Sequence, residues 1–225
     1  MPSLGSSGRW QQMITKLIPN LELKLVRCSL SDHDISSLFR SHSNLDLSDN
    51  MLTSSTFQLL FNYSHNLQQL CLRGNNIDFS SPHYPNFPSL VVLDLAVNNL
   101  TSSIILGNFN FSSTTQELYL EECGFTDKSF LVPSTSIKRS SSSLVTLVLS
   151  SNLLKLWAIF HFISNFTTKL HNLFLDHNML EGPIPDGFGK VMNSLEVLIL
   201  SSNKLQGEIP ASLGNICTLQ ELDIS

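Results

Sequence analysis

The sequence has little charge and no long apolar run. Charged residues make up 14% of the 225 residues, with a net charge of −5. No basic stripe occurs, which argues against a nucleic-acid-binding surface. No stretch approaches the roughly 18 uncharged apolar residues of a membrane-spanning helix. The first residues, MPSLGSSGRW, also lack the apolar core of a signal peptide.

Catalytic signatures are missing as well. The chain contains no P-loop, no HExxH, no G-x-S-x-G, no CxxC pair and no protein-kinase motif. His171, Asp176 and His177 lie close together and invite a metal-site interpretation, but we interpret them as ordinary variable positions. The sequence therefore predicts neither an enzyme nor a bound metal or cofactor.

What is present is a repeat. LEGPIP at 180–185 returns as LQGEIP at 205–210, 25 residues later. The segments before them, LHNLFLDHNML and LEVLILSSNKL, both fit L-x-x-L-x-L-x-x-N-x-L. A recurrence of this length is typical of stacked repeats, and the template is that of leucine-rich repeats.

The same template recurs along most of the chain, and LQELDIS at 219–225 begins a last copy. Successive Asn positions, two of them occupied by Cys, are separated by 22, 25, 23, 25, 29, 26 and 25 residues. Asn at this point can donate to and accept from backbone groups that the following turn leaves unpaired, and Cys can replace part of that. We call these the ladder positions: Cys28, Asn50, Asn75, Asn98, Cys123, Asn152, Asn178 and Asn203.

Within each copy the fourth and sixth residues alternate with variable ones, which predicts a short strand with one buried face. One repeat cannot bury its leucines alone, so neighbours must stack. We therefore predict an α/β-type repeat solenoid, a leucine-rich-repeat horseshoe or superhelix of about nine repeats with a parallel β-sheet on its concave face. Residues 1–12 are predicted to be a non-repeat N-terminal segment, and residues 13–225 the solenoid, uncapped at both ends and with its last repeat incomplete.

The four cysteines do not form a disulfide pattern. Cys28 and Cys123 occupy ladder positions far apart along the solenoid. Cys71 is a variable strand residue, and Cys217 falls in a turn. Their even number is interpreted as a coincidence.

Four Asn-x-Ser/Thr sequons mark possible N-glycosylation sites, at Asn62, Asn99, Asn110 and Asn165. Asn62, Asn110 and Asn165 each lie five residues before the first template position of a repeat. This shared phase predicts glycans at one height on the back of the solenoid, away from the strands, and hence secretion. The alternative is that this turn merely favours Asn and Ser.

The variable strand positions point away from the core and form one row per repeat on the concave face. Exposed aromatic residues often anchor a partner. The mixed, weakly charged row favours a peptide or protein ligand, although scattered apolar residues without a partner are an alternative. The candidate ligand-binding residues are Tyr119, Glu121, Phe174 and Asp176, flanked by Arg73, Asp94 and Glu117.

The combination of L-x-G-x-I-P with SLGNICTLQELDIS (212–225) and ITKLIPNLELKLVRCSLSD (14–32) resembles the plant-specific class of leucine-rich repeats. It is most similar to plant receptor-like proteins of the disease-resistance type, including xylanase-elicitor receptors. The resemblance implies a glycosylated ectodomain at the extracellular face of the plasma membrane. Such a receptor recognises a microbial elicitor in defence signalling and recruits a co-receptor kinase. A kinase domain would lie outside this chain.

The sequence also departs from that family. The signal peptide, terminal caps and membrane helix of such receptors are missing, so we expect the chain to be a piece of a longer parent. Three alternatives remain open at this stage. They are a truncated, non-signalling copy, an intracellular repeat scaffold, and a secreted inhibitor of microbial cell-wall hydrolases.

Overall fold

A computed structural model describes residues 22–35, 42–61, 64–78, 87–101, 114–130, 143–155, 157–164 and 169–225. The non-repeat segment predicted over 1–12 lies outside these ranges, as do Asn62, Asn110 and Asn165.

The main element is a nine-stranded parallel sheet in which each strand contributes three residues. Its register places the central leucine of each strand beside that of the next, as in Leu70↔Leu93↔Leu118. This regularity confirms the predicted leucine-rich-repeat solenoid with its parallel sheet. The strands, in spatial order, are β1 (Glu22–Lys24), β2 (Asn44–Asp46), β3 (Gln69–Cys71), β4 (Val92–Asp94), β5 (Glu117–Tyr119), β6 (Thr146–Val148), β7 (Asn172–Phe174), β9 (Val197–Ile199) and β11 (Glu221–Asp223).

Two further short strands flank the last repeats. They are β8 (Glu181–Gly182) and β10 (Lys204–Leu205), which pair in parallel. Each follows the ladder Asn and leads into the G-x-I-P corner. Gly182 and Gly207 have φ of 80° and 90°, a left-handed backbone that side chains disfavour. The repeated six letters in the sequence are therefore a repeated corner in the structure.

Short helical segments complete the repeats on the side opposite the sheet. The α-helices are α1 (Asp32–Ile35), α2 (Ser55–Phe61), α3 (Ala158–Ile163) and α4 (Phe188–Val191). Turns of 3₁₀ helix occupy Ser64–Asn66, Asp127–Phe130 and Leu213–Asn215. Neighbouring segments pack together, α1 on α2 and α4 on the turn at 213–215. Between these layers and the sheet, the repeat leucines form one continuous core.

The ladder side chains close the turn that follows each strand. Asn152 is a complete example: its Oδ1 accepts from the backbone N–H groups of Cys123 and Phe125 at 3.1 and 3.0 Å. Its Nδ2 donates to the carbonyls of Leu120, Leu149 and Ser150. These bonds join adjacent repeats at the edge of the core, where the backbone N–H and C=O groups cannot form hydrogen bonds with water.

A cysteine at a ladder position forms fewer and weaker hydrogen bonds than an asparagine. Cys123 is buried, and its Sγ donates to the carbonyls of Leu95 and Glu121 at 3.3 and 3.4 Å. A thiol is a weak donor and a weak acceptor, so it replaces only part of the amide's bonding. All four cysteines are free.

The residue before each ladder position adopts a left-handed backbone, a feature not anticipated from the sequence. Gly74 and Ser151 have φ of 65° and 56°, and Val97 has φ of 55°. Glycine and small polar residues tolerate this region, whereas a β-branched side chain is strained there. The remaining members of this series are Arg27, Asp49, Glu122, His177 and Ser202.

Replacing Val97 with Asn should therefore stabilise the fold by about 1 kcal/mol, because Asn enters the left-handed region more readily. Equilibrium unfolding in urea measures the change. Ser151→Asn is the matched control, since Ser151 has nearly the same φ and no β-branch. A Val97→Asn variant no more stable than the parent would contradict strain at this position.

Candidate ligand-binding face

The third residue of every strand in the main sheet points away from the core, and the register sets these residues side by side. We call this line the inner row. Its first four members are polar, and the next four are large and apolar or aromatic. In order they are Lys24, Asp46, Cys71, Asp94, Tyr119, Val148, Phe174, Ile199 and Asp223.

The apolar half of the inner row consists of Tyr119, Val148, Phe174 and Ile199, which we call the apolar shelf. Each is only partly buried, although the leucines between them in the strands are almost fully buried. An unbroken run of accessible apolar side chains on adjacent strands is a candidate contact surface. Tyr119 and Phe174, both predicted from the sequence, belong to this shelf and are separated by Val148.

Tyr119 is fixed by a neighbour on its own strand. Its hydroxyl donates to Glu117 Oε2 at 2.8 Å. Burial and this hydrogen bond raise the pKa of Tyr119 to about 12, so the phenol stays protonated. The ring therefore presents an apolar face with its polar tip already occupied.

Arg73 and Glu121 lie just after strands β3 and β5 and reach each other across the intervening repeat. Arg73 Nη1 is 3.0 Å from Glu121 Oε2. Ala96, two residues after β4, occupies the equivalent position in the repeat between them, and its methyl group is fully buried and leaves the path clear. The bond to Glu121 raises the pKa of Arg73 above its ordinary value. The two predicted ligand residues thus bind one another.

Asp176 lies after strand β7, two strands from the Arg73–Glu121 pair. It accepts a hydrogen bond from Ser150 Oγ at 2.5 Å. The structure therefore gathers Arg73, Asp94, Glu117, Tyr119 and Glu121 around β4 and β5. Phe174 and Asp176 lie further along the face, beyond β6.

A groove of about 160 Å³ lies over the polar half of the inner row. It is lined by Glu22, Lys24, Asn44, Asp46, Cys71 and Asp94 and reaches Tyr119. Of these groove residues, only Asp94 and Tyr119 are among the candidate ligand-binding residues predicted from the sequence. The repeat period could have identified the others, because Asp46 and Cys71 occupy the same template position as Asp94 and Tyr119.

The groove carries more negative than positive charge. Its ammonium group, Lys24 Nζ, is 3.0 Å from Glu22 Oε1. Asp46 and Asp94 form no salt bridge with any described residue. Burial raises the pKa of Asp94 above its ordinary value, with the N–H of Ala96 acting in the opposite direction.

Cys71 lies between those two carboxylates in the register. Its Sγ is 2.9 Å from Ser48 Oγ and 3.3 Å from Asp94 Oδ2. Burial raises the pKa of its thiol to about 12. A thiol that remains protonated is a poor nucleophile, so Cys71 acts here as a small polar floor.

His171, Asp176 and His177, interpreted from the sequence as ordinary variable positions, and the sequon at Asn99 also lie within the described residues. His171 Nδ1 is 3.1 Å from Glu196 Oε1. Over the described ranges, no group of three or more His, Cys, Asp or Glu side chains is placed to hold a metal ion. Within the same ranges, no helix has the length and apolar character needed to cross a membrane. Asn99 is exposed, and its Oδ1 accepts from Thr101 Oγ1 at 2.9 Å.

Together, the in-register strands, the ladder and the open face define a leucine-rich-repeat solenoid. A family model described as Leucine Rich Repeat matches residues 169–191 and 194–216, the two copies that carry G-x-I-P. No curated protein matches the chain significantly.

Solved structures extend the comparison over nearly the whole chain. The ectodomain of the Arabidopsis thaliana membrane receptor kinase GASSHO1/SCHENGEN3, in complex with CASPARIAN STRIP INTEGRITY FACTOR 2, aligns with 97% of this chain at 22% identity and a TM-score of 0.62. The plant peptide hormone receptor RGFR1 in complex with RGF2 aligns with 90% of this chain at 21% identity and a TM-score of 0.56. The Arabidopsis receptor kinase HAESA, in complex with the peptide hormone IDA and the co-receptor SERK1, aligns with 91% of this chain at 24% identity and a TM-score of 0.53. The chain spans 28%, 35% and 40% of their respective lengths.

Proposed function

We propose that this chain is the ligand-binding part of the extracellular domain of a plant cell-surface leucine-rich-repeat receptor, with a peptide or protein bound on its concave face. The observation that carries the proposal is the apolar shelf. Four adjacent strands present Tyr119, Val148, Phe174 and Ile199 to solvent, although a core lies directly beneath them. Covering such a run with a ligand removes apolar surface from water, at about 25 cal/mol per Å².

The similar solved structures support this proposal. They are plant receptor ectodomains, and RGFR1 and HAESA are held with the peptides RGF2 and IDA. In the proposal the chain belongs to a receptor at the outer face of the plasma membrane, and residues 13–225 form its solenoid. The parent receptor recruits a co-receptor kinase and carries glycans at Asn62, Asn99, Asn110 and Asn165.

The biological role within this class has two candidates. The sequence resemblance favours reception of a microbial elicitor in plant defence. The neighbours bound to peptide hormones favour an endogenous plant peptide instead. Both candidates use the same face, so the origin of the bound molecule separates them. We propose the defence role as the first of the two.

A photo-cross-linking residue at Val148 tests the function, because Val148 lies at the centre of the face between Tyr119 and Phe174. The chain is secreted from plant cells and exposed to extracellular fluid from microbe-treated and untreated leaves. Adducts are then identified by mass spectrometry. The matched control carries the same residue at Lys190, which is exposed on helix α4, opposite the sheet.

We expect peptide adducts at position 148 and none at position 190. A microbial peptide found only in fluid from treated leaves supports the elicitor role. A plant peptide present in both fluids contradicts that role and supports the hormone alternative. Equal labelling at 148 and 190 would overturn a ligand-binding concave face altogether.

A further inference from the structure

We infer, on the basis of the proposed function, that the ligand is an extended peptide with a basic residue seated between Asp46 and Asp94 and an apolar residue on the shelf. The two halves of the inner row carry this inference. One half offers carboxylates around a small groove, and the other offers four adjacent apolar side chains. A ligand that lies along the row meets both.

Charge complementarity selects the basic group. Three carboxylates, those of Glu22, Asp46 and Asp94, line the groove beside a single ammonium group, that of Lys24. Glu22 already neutralises Lys24 at 3.0 Å. Arg73, the next cation along the face, is held by Glu121 at 3.0 Å. This leaves two carboxylates without a salt bridge from the described residues, and a ligand cation supplies the missing charge.

A second observation in the groove is independent of the carboxylates. Asn44 lies on strand β2 at the groove wall, and its Oδ1 is buried without a hydrogen-bond partner among the described residues. A buried acceptor left unpaired is costly, by about 1–3 kcal/mol. This oxygen has almost no accessible surface, so a ligand reaches it only after the Asn44 side chain turns toward the groove. A guanidinium or ammonium group carries several N–H donors and would then serve this oxygen together with the carboxylates.

The size of the groove limits what enters it. About 160 Å³ is less than the roughly 300–1,000 Å³ of pockets that hold whole small-molecule ligands. The groove suits one side chain of a larger molecule. Cys71 lies between Asp46 and Asp94 in the register and lines the groove with a side chain shorter than those of Lys24 and Tyr119 at its ends.

The spacing of the two halves sets the spacing in the ligand. The basic site is centred on β3 and the apolar shelf between β6 and β7, which is three and a half strand intervals. At about 4.8 Å per interval the separation is about 17 Å. An extended chain advances about 3.4 Å per residue, so the basic and apolar residues should be about five positions apart.

A series of labelled peptides tests this arrangement on the secreted chain. Each fluorescein-labelled octapeptide has a Gly/Ser background, one Phe, and one Arg placed one to seven positions away. Fluorescence anisotropy gives the affinities. In a second series citrulline replaces Arg, which keeps the shape and removes the charge. The protein variants are Asp46→Asn, Asp94→Asn and Phe174→Ala, with Asp186→Asn, an exposed residue outside the sheet, as the matched control.

We expect the tightest binding at a separation of about five residues, with about tenfold weaker binding for citrulline. Asp94→Asn should weaken the Arg peptide about tenfold and leave the citrulline peptide unchanged. An amide can still accept from the Ala96 N–H, so the fold should survive, and a urea midpoint like that of Asp186→Asn would verify this.

Equal effects of Asp94→Asn on both peptides, or no binding by any peptide in the series, would overturn the inference. The proposed function fails differently. If Phe174→Ala weakens binding while Arg and citrulline bind equally, the peptide-binding face stands and the basic site is wrong. If cross-linking at Val148 captures no extracellular peptide, the receptor assignment falls, whatever the octapeptides show.

Discussion

Replacing Asn152 with Ala should lower the free energy of unfolding by about 3 kcal/mol or more. The amide of Asn152 binds two backbone N–H groups and three carbonyls, all at the buried junction of two repeats. Alanine leaves the N–H groups of Cys123 and Phe125 without an acceptor, and each buried group left unpaired costs about 1–3 kcal/mol. Chemical denaturation of the secreted chain, followed by circular dichroism, measures the loss.

Ser151→Ala is the control for that variant. Ser151 precedes Asn152, is partly exposed and has a φ of 56°, which we expect to persist when only the hydroxyl is removed. We expect a change below about 0.5 kcal/mol for this surface position. Asn152→Asp should cost at least as much as Asn152→Ala, because it places a buried carboxylate against three carbonyl oxygens. Similar losses for Asn152→Ala and Ser151→Ala would contradict the role given to the ladder.

The second large effect is expected at Gly189 in helix α4. A Cβ built on Gly189 lies 1.9 Å from the carbonyl oxygen of Ser212 and 2.8 Å from the backbone nitrogen of Leu213. Both are backbone atoms, so no side-chain rotation removes the overlap. Gly189→Ala should separate α4 from the turn at 213–215 and destabilise the fold by about 1–3 kcal/mol. Hydrogen exchange should show the loss of protection concentrated after residue 210.

Gly187→Ala provides a close comparison, two residues away. A Cβ at Gly187 meets nothing within 4 Å, and the backbone there has an ordinary φ of −80°. Alanine at such a site is neutral or stabilises by up to about 1 kcal/mol, because it restricts the unfolded chain. If Gly189→Ala exchanges as slowly as Gly187→Ala, the two repeats do not pack as closely as the structure places them.

The periodic features of this fold were accessible from the sequence. The template located every strand of the main sheet, since the alternation of Leu70 and Leu72 with variable residues requires one buried face. The L-x-G-x-I-P corner likewise located Gly182 and Gly207. These features depend on local pattern and on stacking, and both repeat along the chain.

Features that depend on particular neighbours were not accessible. The Arg73–Glu121 pair spans 48 residues, and it can form because the small, buried methyl group of Ala96 between its members does not obstruct them. The groove depends on Asp46, Cys71 and Asp94 lying in register on three strands. A template marks all such positions simply as variable, so it cannot rank one above another.

The left-handed backbone of the residue before each ladder position was only partly predictable from the sequence. Asp49, Gly74 and Ser202 are residues that favour turns, and their recurrence at one template position was a readable signal. Val97 and Arg27 obscured it, because nothing in their chemistry favours that backbone. Stacking on both sides imposes the conformation regardless of the residue.

Because the inner row is in register, the number of repeats between two of its sites sets the distance between the ligand groups that those sites bind. Each repeat contributes one position to the row, so a gene duplication or loss of one whole repeat between β4 and β6 would move the shelf relative to the acidic pair by about 4.8 Å. Side chains away from the new junction would keep their surroundings, although loss of the β5 repeat would also remove Tyr119 from the shelf. Unequal recombination could thereby change the preferred spacing in a bound peptide by between one and two residues while Asp46, Asp94, Val148, Phe174 and Ile199 all remain.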